Sequence, residues 1–432
     1  MAVLSVREYG RIRCGETFDP ERQTVTPSQR HRLERFSEGY KVQHKVAVLQ
    51  YGPHQSLVAQ NFVGVINLGR DQVEVLPKID GLEGNDAQVR QNLAAMIART
   101  YDLTLRDGDA SKMNHPSESI LEILIRLFCK QLWLEVHKGM LRSYEHRSAT
   151  LNVLRGRLSV ERQIRENSVR PDLLACDFDE FSENNELNKT LKAALRVLSR
   201  VTRSTSNHRN VSELLFCFSE VDDVTADTLR WAQDTSNRTW ARYGKLLSLA
   251  RLFLRDQAPD VISGDGDGFA LLFDMNELFE KYIGRLVQGI FSTSELHVRL
   301  QRPTRHLARR MDGASSFELR PDIVGCQGDQ IAWIVDTKWK RLDTLRHRDG
   351  VSSADMYQMH AYARRYESPH VYLLYPHHNA LGPHAGRRAG YRLEAAFPNA
   401  PLQQVSVGTV DLSDLSKVAS QLTEILRNGD AA

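Results

Sequence analysis

The chain has 432 residues, which is enough for two or three domains with separate hydrophobic cores. Lys and Arg number 57 against 54 Asp and Glu, and the net charge of +3 predicts nothing by itself about a nucleic-acid partner. No stretch approaches about 20 uninterrupted apolar residues and no signal-peptide pattern is seen, so we expect a cytoplasmic protein without a membrane segment. The five cysteines form no Cys-x-x-Cys pair, which predicts free thiols rather than a zinc site or disulfide framework.

The first part of the chain, residues 1–105, alternates apolar and polar residues and predicts a small β-rich domain. Its clearest piece is Phe62–Asp80, two short strands that meet near Gly69 in a hairpin. A helix is expected over Ala87–Thr104, and the polar loop Arg106–Ser117 marks a boundary. Nothing in this region indicates catalysis.

The middle region, residues 117–258, is predicted to be α-helical. Apolar residues recur at helical spacing over Glu118–Ser148, and we expect a capped loop leading into a helix over Asp177–Leu198 and a long helix over Thr225–Phe253. The segment Arg155–Arg157 places glycine between two arginines. It could bring backbone and guanidinium groups to one anion, or it is a turn that leads into a solvated helix.

A connector is expected over Asp260–Gly268. Its Asp265-Gly266-Asp267 spacing resembles a calcium loop, but Phe269 stands where an EF-hand requires an oxygen ligand and Asn276 where it requires a glutamate. We therefore interpret the segment as a flexible linker and a domain boundary.

The last part of the chain, residues 269–428, predicts an α/β module with a mixed sheet flanked by helices. Its expected elements are a helix over Phe273–Phe291, strands over Phe317–Val324 and Ile331–Lys340, a helix over Ser353–Tyr366, strands over Val371–Tyr375 and Val405–Val410, and a helix over Leu412–Leu426.

The two central strands of this module carry the residues that indicate chemistry. Pro321-Asp322 lies on the first strand, and the apolar second strand ends in Asp336, Thr337 and Lys338. Side chains at i and i+2 of a strand share a face about 6.5 Å apart, and buried charges cost several kcal/mol unless they are paired or bind a metal. Two carboxylates and a lysine can bind Mg²⁺ and retain a cation for a phosphate, as phosphodiester hydrolysis requires. The alternative is an ordinary ion pair at a strand end.

Neighbouring helices supply further candidates. Glu277 and Glu280 lie three apart on one face of their helix, where either could join the acids or simply be exposed. Gln358 and Tyr362 lie four apart, and their side chains can hydrogen-bond a water, a carboxylate or a phosphate. Histidines 377, 378 and 384 stand among Gly and Pro without acidic or thiol partners, which favours loop residues over a metal site.

Positive charge is concentrated around these candidates. Residues 297–348 hold eleven Lys and Arg against six Asp and Glu, a surplus of +5, while the rest of the chain sums to −2. Such a surplus beside carboxylates suits a polyanionic substrate, although solvated surface charge is the alternative.

Several motifs together resemble a known family. Pro321-Asp322 followed by Asp336-x-Lys338 resembles the PD-(D/E)xK nuclease superfamily, and Gln358-x-x-x-Tyr362 resembles the additional motif of its RecB-like branch. With the segments LPKI, RGRL and DMNELFEKYI, which begin at residues 76, 155 and 274, the whole chain resembles the McrC family, the nuclease subunits of McrBC-type modification-dependent restriction systems.

The resemblance implies a Mg²⁺-dependent DNA endonuclease. Asp322 and Asp336 would bind the metal together with the backbone carbonyl of Thr337. Lys338 would orient the attacking water and stabilise the phosphate charge, and Glu280 would assist from the preceding helix. The resemblance assigns substrate positioning to Gln358 and Tyr362.

A partner is implied as well. The chain has no Gly-rich Lys-Ser/Thr phosphate loop, and in the family a separate McrB-like AAA+ GTPase forms a hexameric ring, recognises DNA with modified cytosine and translocates it. The β-rich domain, residues 1–105, would bind this partner. Two alternatives stay open: a RecB-like exonuclease or nickase, and a non-catalytic adaptor with a nuclease-like fold.

Overall fold

The computed structural model describes residues 3–68, 71–103, 118–225, 238–255, 269–343, 348–394 and 402–427. The chain divides into two compact units, one comprising residues 1–120 and 258–432 and the other residues 121–257. The whole polar loop at 106–117, the whole 260–268 connector and the hairpin residues 69 and 70 lie outside the described residues.

The helices are α1 (Pro27–His44), α2 (Asp86–Thr100), α3 (Ile120–Val136), α4 (Val160–Asn167), α5 (Glu186–Val201), α6 (Thr205–Cys217), α7 (Arg238–Arg255), α8 (Met275–Ile290), α9 (Ser353–Tyr366) and α10 (Leu415–Arg427). The strands are β1 (Val3–Arg7), β2 (Arg11–Cys14), β3 (Thr24–Val25), β4 (Leu49–Tyr51), β5 (Leu57–Ala59), β6 (Phe62–Asn67), β7 (Gln72–Leu76), β8 (Ser143–Leu151), β9 (Arg157–Leu158), β10 (Leu174–Ser182), β11 (Ala270–Asp274), β12 (His297–Leu300), β13 (Arg305–Arg309), β14 (Ser315–Leu319), β15 (Ile323–Gln327), β16 (Gln330–Thr337), β17 (His370–Pro376), β18 (Gly386–Arg392) and β19 (Gln404–Val410).

The first unit begins with two small sheets, in the orders β1-β7-β6-β11 and β3-β2-β5-β4. Strands β6 and β7 pair antiparallel, which confirms the predicted strand pair. Strand β11, from the start of the expected third module, pairs antiparallel with β6 and completes the first sheet. Residues on either side of the 121–257 unit therefore share one sheet and one core.

The unit formed by residues 121–257 is not purely helical, so the helical prediction for this region was wrong in part. It contains a three-stranded antiparallel sheet, β8-β10-β9, beside its helices. The predicted helix over Glu118–Ser148 ends at Val136, where the apolar helical spacing stops, and β8 begins at Ser143. Cys176 and Phe178 alternate with acidic residues in β10, a period of two that the helical interpretation overlooked.

Buried polar contacts hold helices of this unit together. The carboxylate of Glu122 in α3 is 7 % exposed and accepts hydrogen bonds from the Thr202 hydroxyl at 2.8 Å and the Asn207 side-chain amide at 2.7 Å. Because these donors flank the start of α6, Glu122 fixes that end of the helix against α3.

The last part of the chain forms a six-stranded mixed sheet, ordered β12-β15-β16-β17-β19-β18. Strands β12, β15 and β16 are antiparallel, β16, β17 and β19 are parallel, and α9 supplies the crossover between β16 and β17. The bounds of α9 confirm the helix predicted over Ser353–Tyr366. The sheet prediction was incomplete, because β12, β13 and β18 were not expected.

The predicted strand Phe317–Val324 is two separate strands. Strand β14 ends at Leu319 and pairs only with β13 in a two-stranded ribbon, whereas β15 starts at Ile323 and belongs to the six-stranded sheet. Pro321 has no N–H for a strand ladder, so the chain leaves one sheet and enters the other at this point.

A substitution at Gly64 tests the pairing of β6 with β11. Its φ is 133°, and a Cβ atom there would lie 1.9 Å from the carbonyl oxygen of Leu271. Gly64→Ala should therefore lower the free energy of unfolding by about 2 kcal/mol or more through overpacking and backbone strain, measured by chemical denaturation. Gly244→Ala is the control. Among the described residues, no heavy atom beyond its chain neighbours and its own helix backbone lies within 4 Å of its Cβ position in α7, so we expect it to be neutral or stabilising by up to about 1 kcal/mol.

Candidate active site

The register of β15 and β16 brings two carboxylates together. Ile323 pairs with Val335, so Asp322 and Asp336 are opposite each other at the next position. The Oδ2 atom of Asp322 accepts hydrogen bonds from the backbone N of Thr337 at 2.7 Å and from its Oγ1 at 2.9 Å. Both acids therefore lie at the carboxyl end of β16, beside its parallel neighbour β17.

Lys338 follows directly after β16. Its Nζ atom is 2.7 Å from Oδ2 of Asp336, and its backbone N donates to the carbonyl of Leu374 at 2.9 Å. Burial lowers the pKa of Lys338, but the charges of Asp336 and Asp322 outweigh burial and raise it above its ordinary value. The ammonium therefore stays charged next to the acids.

Burial dominates the protonation of both acids. It raises the pKa of Asp336, which is 1 % exposed, to about 7, with the negative charge of Asp322 adding to the effect and Lys338 opposing it. Burial also raises the pKa of Asp322, against the two hydrogen bonds from Thr337. A buried acid and a partly buried acid are thus held side by side, where a bound cation would relieve their repulsion.

The helix α8 contributes one of its two candidate glutamates. The carboxylate of Glu280 accepts a hydrogen bond from Nε2 of Gln301 at 2.6 Å, and burial followed by the charge of Asp322 raises its pKa to about 7. Glu277 instead pairs with Lys281 near the surface. The fold therefore brings Glu280, rather than Glu277, to the acids.

Gln358 and Tyr362 lie on α9 and contact each other. Nε2 of Gln358 donates to the Tyr362 hydroxyl at 2.9 Å, and that hydroxyl donates to the carbonyl of Arg320 at 3.2 Å. Tyr362 is buried, and burial followed by the charge of Asp336 raises its pKa. The pair thus holds the backbone two residues before Asp322.

Sequence reasoning missed an acid on α9. Asp355 is buried, receives a hydrogen bond from the Tyr375 hydroxyl at 2.8 Å and contacts Nζ of Lys340 at 2.6 Å. Burial raises its pKa, but these donors outweigh burial and lower it, so Asp355 stays charged. Its only sequence signal was its position in the first turn behind Ser352, which caps the helix.

Sequence reasoning also missed Glu8, which follows β1 and is 2 % exposed. Its carboxylate accepts hydrogen bonds from the backbone N of Lys78 at 2.9 Å and from the indole Nε1 of Trp339 at 3.0 Å. The ring of Trp339 lies 5.4 Å from that of Phe279, the residue before Glu280. A buried acid from the first sheet therefore holds the residue that follows Lys338.

The donor set suits a hard divalent cation. Across the described ranges, no three His, Cys, Asp or Glu side chains are grouped as metal ligands. Mg²⁺ is commonly bound by one or two carboxylates with waters completing the octahedron, and the adjacent carboxylates of the partly buried Asp322 and the buried Asp336 meet that need. The rings of His377 and His378 instead contact Gly382 and Leu342 carbonyl oxygens at 3.0 and 2.9 Å.

The fold and site define a mixed α/β protein with buried acids and a lysine at the carboxyl end of a central strand. The family model described as "McrBC 5-methylcytosine restriction system component" matches residues 57–376, and the chain belongs to this family. No curated protein matches the chain at a significant level. In the described part of the chain no helix is long and apolar enough to span a bilayer.

Solved structures share the fold. A chain in the refined half-complex from a tetradecameric assembly of Thermococcus gammatolerans McrB AAA+ hexamers with bound McrC has a TM-score of 0.67 and 18 % identity, covering 99 % of this chain and 100 % of that chain. A chain in the cryo-EM structure of the T. gammatolerans McrBC complex has a TM-score of 0.51 and 21 % identity, covering 67 % of this chain and 88 % of that chain.

Ionisation of the Glu8 carboxyl makes the free energy of unfolding depend on pH. Burial raises its pKa from 4.5 to about 7, so the stability that depends on the neutral carboxyl is complete below pH 4.5 and is lost as the pH rises through 7. Relative to Glu8→Gln, the wild type should lose up to about 3 kcal/mol of unfolding free energy over this interval, measured by denaturant titrations at several pH values. Parallel pH profiles for the two proteins would contradict the assignment.

Proposed function

We propose that this chain is the endonuclease subunit of a McrBC-like, modified-cytosine-dependent restriction system and cleaves DNA phosphodiester bonds with Mg²⁺. The observation that carries the proposal is the Asp322 carboxylate fixed by Thr337 beside the Asp336–Lys338 ion pair. Membership of the McrBC component family supports it. The site follows the PD-(D/E)xK pattern.

Asp322 and Asp336 would hold the metal, with the backbone carbonyl of Thr337 as a further ligand. Bound Mg²⁺ would supply positive charge to a phosphoryl oxygen and favour deprotonation of a bound water. Burial raises the pKa of both acids, and such a cation would favour their charged forms, which is a physical reason to place the two carboxylates side by side.

The remaining residues act on the water and the substrate. Lys338 keeps its proton beside Asp336, so it orients the attacking water and stabilises negative charge on the phosphate. Glu280, with a pKa near 7, exchanges a proton with water at the same edge of the site. Gln358 and Tyr362 position the segment that carries Asp322, and Gln358 is the member of the pair available to reach substrate.

A nucleotide-driven partner completes the proposal. Solved structures with this fold contain McrB AAA+ hexamers with bound McrC, and this chain would bind a corresponding AAA+ GTPase ring in the cytoplasm and stimulate its GTP hydrolysis. Contact would be made through the amino-terminal part of the chain. The partner would select DNA with modified cytosine and bring it to the acids.

Asp336→Asn should lower the cleavage rate at least about 10³-fold with partner, GTP and Mg²⁺ present, because the metal loses a ligand and Lys338 its charged neighbour. Binding to the partner and stimulation of its GTPase should persist. Asp329→Asn, in the exposed turn between β15 and β16, is the matched control and should cut at the wild-type rate. Cleavage retained by Asp336→Asn would refute the assignment.

A calorimetric Mg²⁺ titration separates an enzyme from an adaptor with a nuclease-like fold. We expect the wild type to show a saturable binding heat with Mg²⁺ and Asp322→Asn/Asp336→Asn to show none, since two of the metal's protein ligands are removed. Equal heats for both proteins would favour the adaptor.

A RecB-like exonuclease is the second candidate, because Gln358 and Tyr362 reproduce that branch's motif and contact each other. Incubation with circular DNA that contains modified cytosine distinguishes the endonuclease from the exonuclease. An endonuclease linearises it in the presence of the GTP-driven partner, whereas an exonuclease degrades only a linear substrate.

A further inference from the structure

A two-stranded ribbon projects from the sheet immediately before Asp322. Strands β13 and β14 pair antiparallel from Arg305 opposite Leu319 to Arg309 opposite Ser315, and neither strand belongs to the six-stranded sheet. A turn closes the tip, where the backbone N of Arg310 donates to the carbonyl of Ala314 at 2.8 Å. At about 3.4 Å per residue, each five-residue strand extends about 17 Å.

The ribbon exposes large apolar side chains instead of burying them. Relative exposure is 108 % for Met311 at the tip, 73 % for Phe317 and 54 % for Leu307. Phe317 also has a φ of 59°, a left-handed conformation that is costly for an aromatic residue. Exposed apolar residues in one small element indicate a surface that contacts another molecule.

The positive charge of the ribbon indicates which kind of molecule this surface contacts. Residues 302–320 contain five arginines against two acidic residues, and Arg309 and Arg310 flank Met311 at the tip. Both arginines are exposed, and Arg310 pairs with the exposed Asp312 at 3.2 Å. Arginines beside apolar residues on a narrow ribbon fit a nucleic-acid groove, where guanidinium groups bind phosphates and apolar side chains contact bases.

The base of the ribbon is fixed to the helix that carries Gln358 and Tyr362. The hydroxyl of Tyr366 on α9 contacts the carbonyl oxygens of Pro303 at 2.8 Å and Leu319 at 2.6 Å, and it accepts a hydrogen bond from the backbone N of Arg305 at 3.0 Å. Nε of Arg365 donates to the carbonyl of His306 at 2.8 Å. The ribbon is therefore held at a set position relative to the acids.

We propose that this ribbon is a DNA-binding arm that lies in the major groove of the duplex next to the cleaved phosphodiester. The inference rests on the proposed function. A two-stranded β-ribbon matches the roughly 12 Å width of the major groove, and an arm about 17 Å long reaches about half a helical turn from the acids. Arg309 and Arg310 contact phosphates, and Met311 contacts base edges.

Duplex DNA binding tests the arm, with every protein carrying Asp336→Asn so that the DNA is not cut. Arg309→Ala/Arg310→Ala should raise the Kd for a fluorescently labelled duplex roughly ten-fold and reduce the slope of log Kd against log salt by about two. The control Arg388→Ala/Arg392→Ala removes the same charge from exposed positions on β18, at the opposite edge of the sheet, and should leave both quantities unchanged.

Met311→Ala provides a second, charge-free test. Because no phosphate contact is lost, it should weaken binding several-fold while the salt slope stays at the wild-type value. An unchanged melting temperature for all of these variants shows that the exposed substitutions leave the fold intact.

The outcomes separate the arm from the enzyme. Wild-type affinity and salt slope in both ribbon variants, alongside a wild type that cuts DNA, overturn the arm alone. If the ribbon variants keep wild-type DNA affinity and salt slope but no longer stimulate the partner's GTPase, the DNA-binding arm is overturned and the ribbon is a protein-docking element. A wild type that neither binds nor cuts duplex DNA with its partner overturns the proposed function and the arm with it.

Discussion

The carboxylate of Asp322 and its two hydrogen bonds from Thr337 set the arrangement of the site. A buried carboxylate needs donors, and bonds to a charged group contribute about 1.5–3 kcal/mol each. These bonds join the segment before β15 to the end of β16 at 2.7 and 2.9 Å, which fixes Asp322 opposite Asp336. The proline before Asp322 has no N–H to donate and ends strand pairing. Asp322 therefore lies just outside the strand, and its carboxylate accepts hydrogen bonds from Thr337.

The parallel pair β16 and β17 determines what surrounds these acids. A parallel pair requires a crossover, and α9 provides it while carrying Gln358 and Tyr362 toward Asp322 and Asp355 toward Lys340. One helix thus supplies both the support behind the acids and the attachment of the β13–β14 ribbon. Both attachments follow from the return of a single helix to the sheet between two parallel strands.

Local pattern in the sequence was enough for some elements and insufficient for others. The apolar run before Asp336 predicted a buried strand, and the segment from Ser353 to Tyr366 predicted α9 with the observed bounds. Strand β8 was missed because its nine residues are largely exposed and polar, and it is defined by pairing with β10, more than twenty residues away. Glu8 was missed for a similar reason: its donors, Lys78 and Trp339, become neighbours only after the sheets have formed.

Two contacts join the first sheet to the acids without any flexible segment between them. Asp274 ends β11 in that sheet, caps the start of α8 and accepts a hydrogen bond from the Asn61 side chain at 3.0 Å, so the helix that carries Glu280 begins at the sheet itself. Glu8, from the same sheet, holds Trp339 one residue beyond Lys338. The first sheet therefore contacts both sides of the acid pair through packed and hydrogen-bonded groups. The acids and the amino-terminal sheet belong to one compact unit, so the same contacts that complete this sheet also hold the segments that carry Glu280 and Lys338.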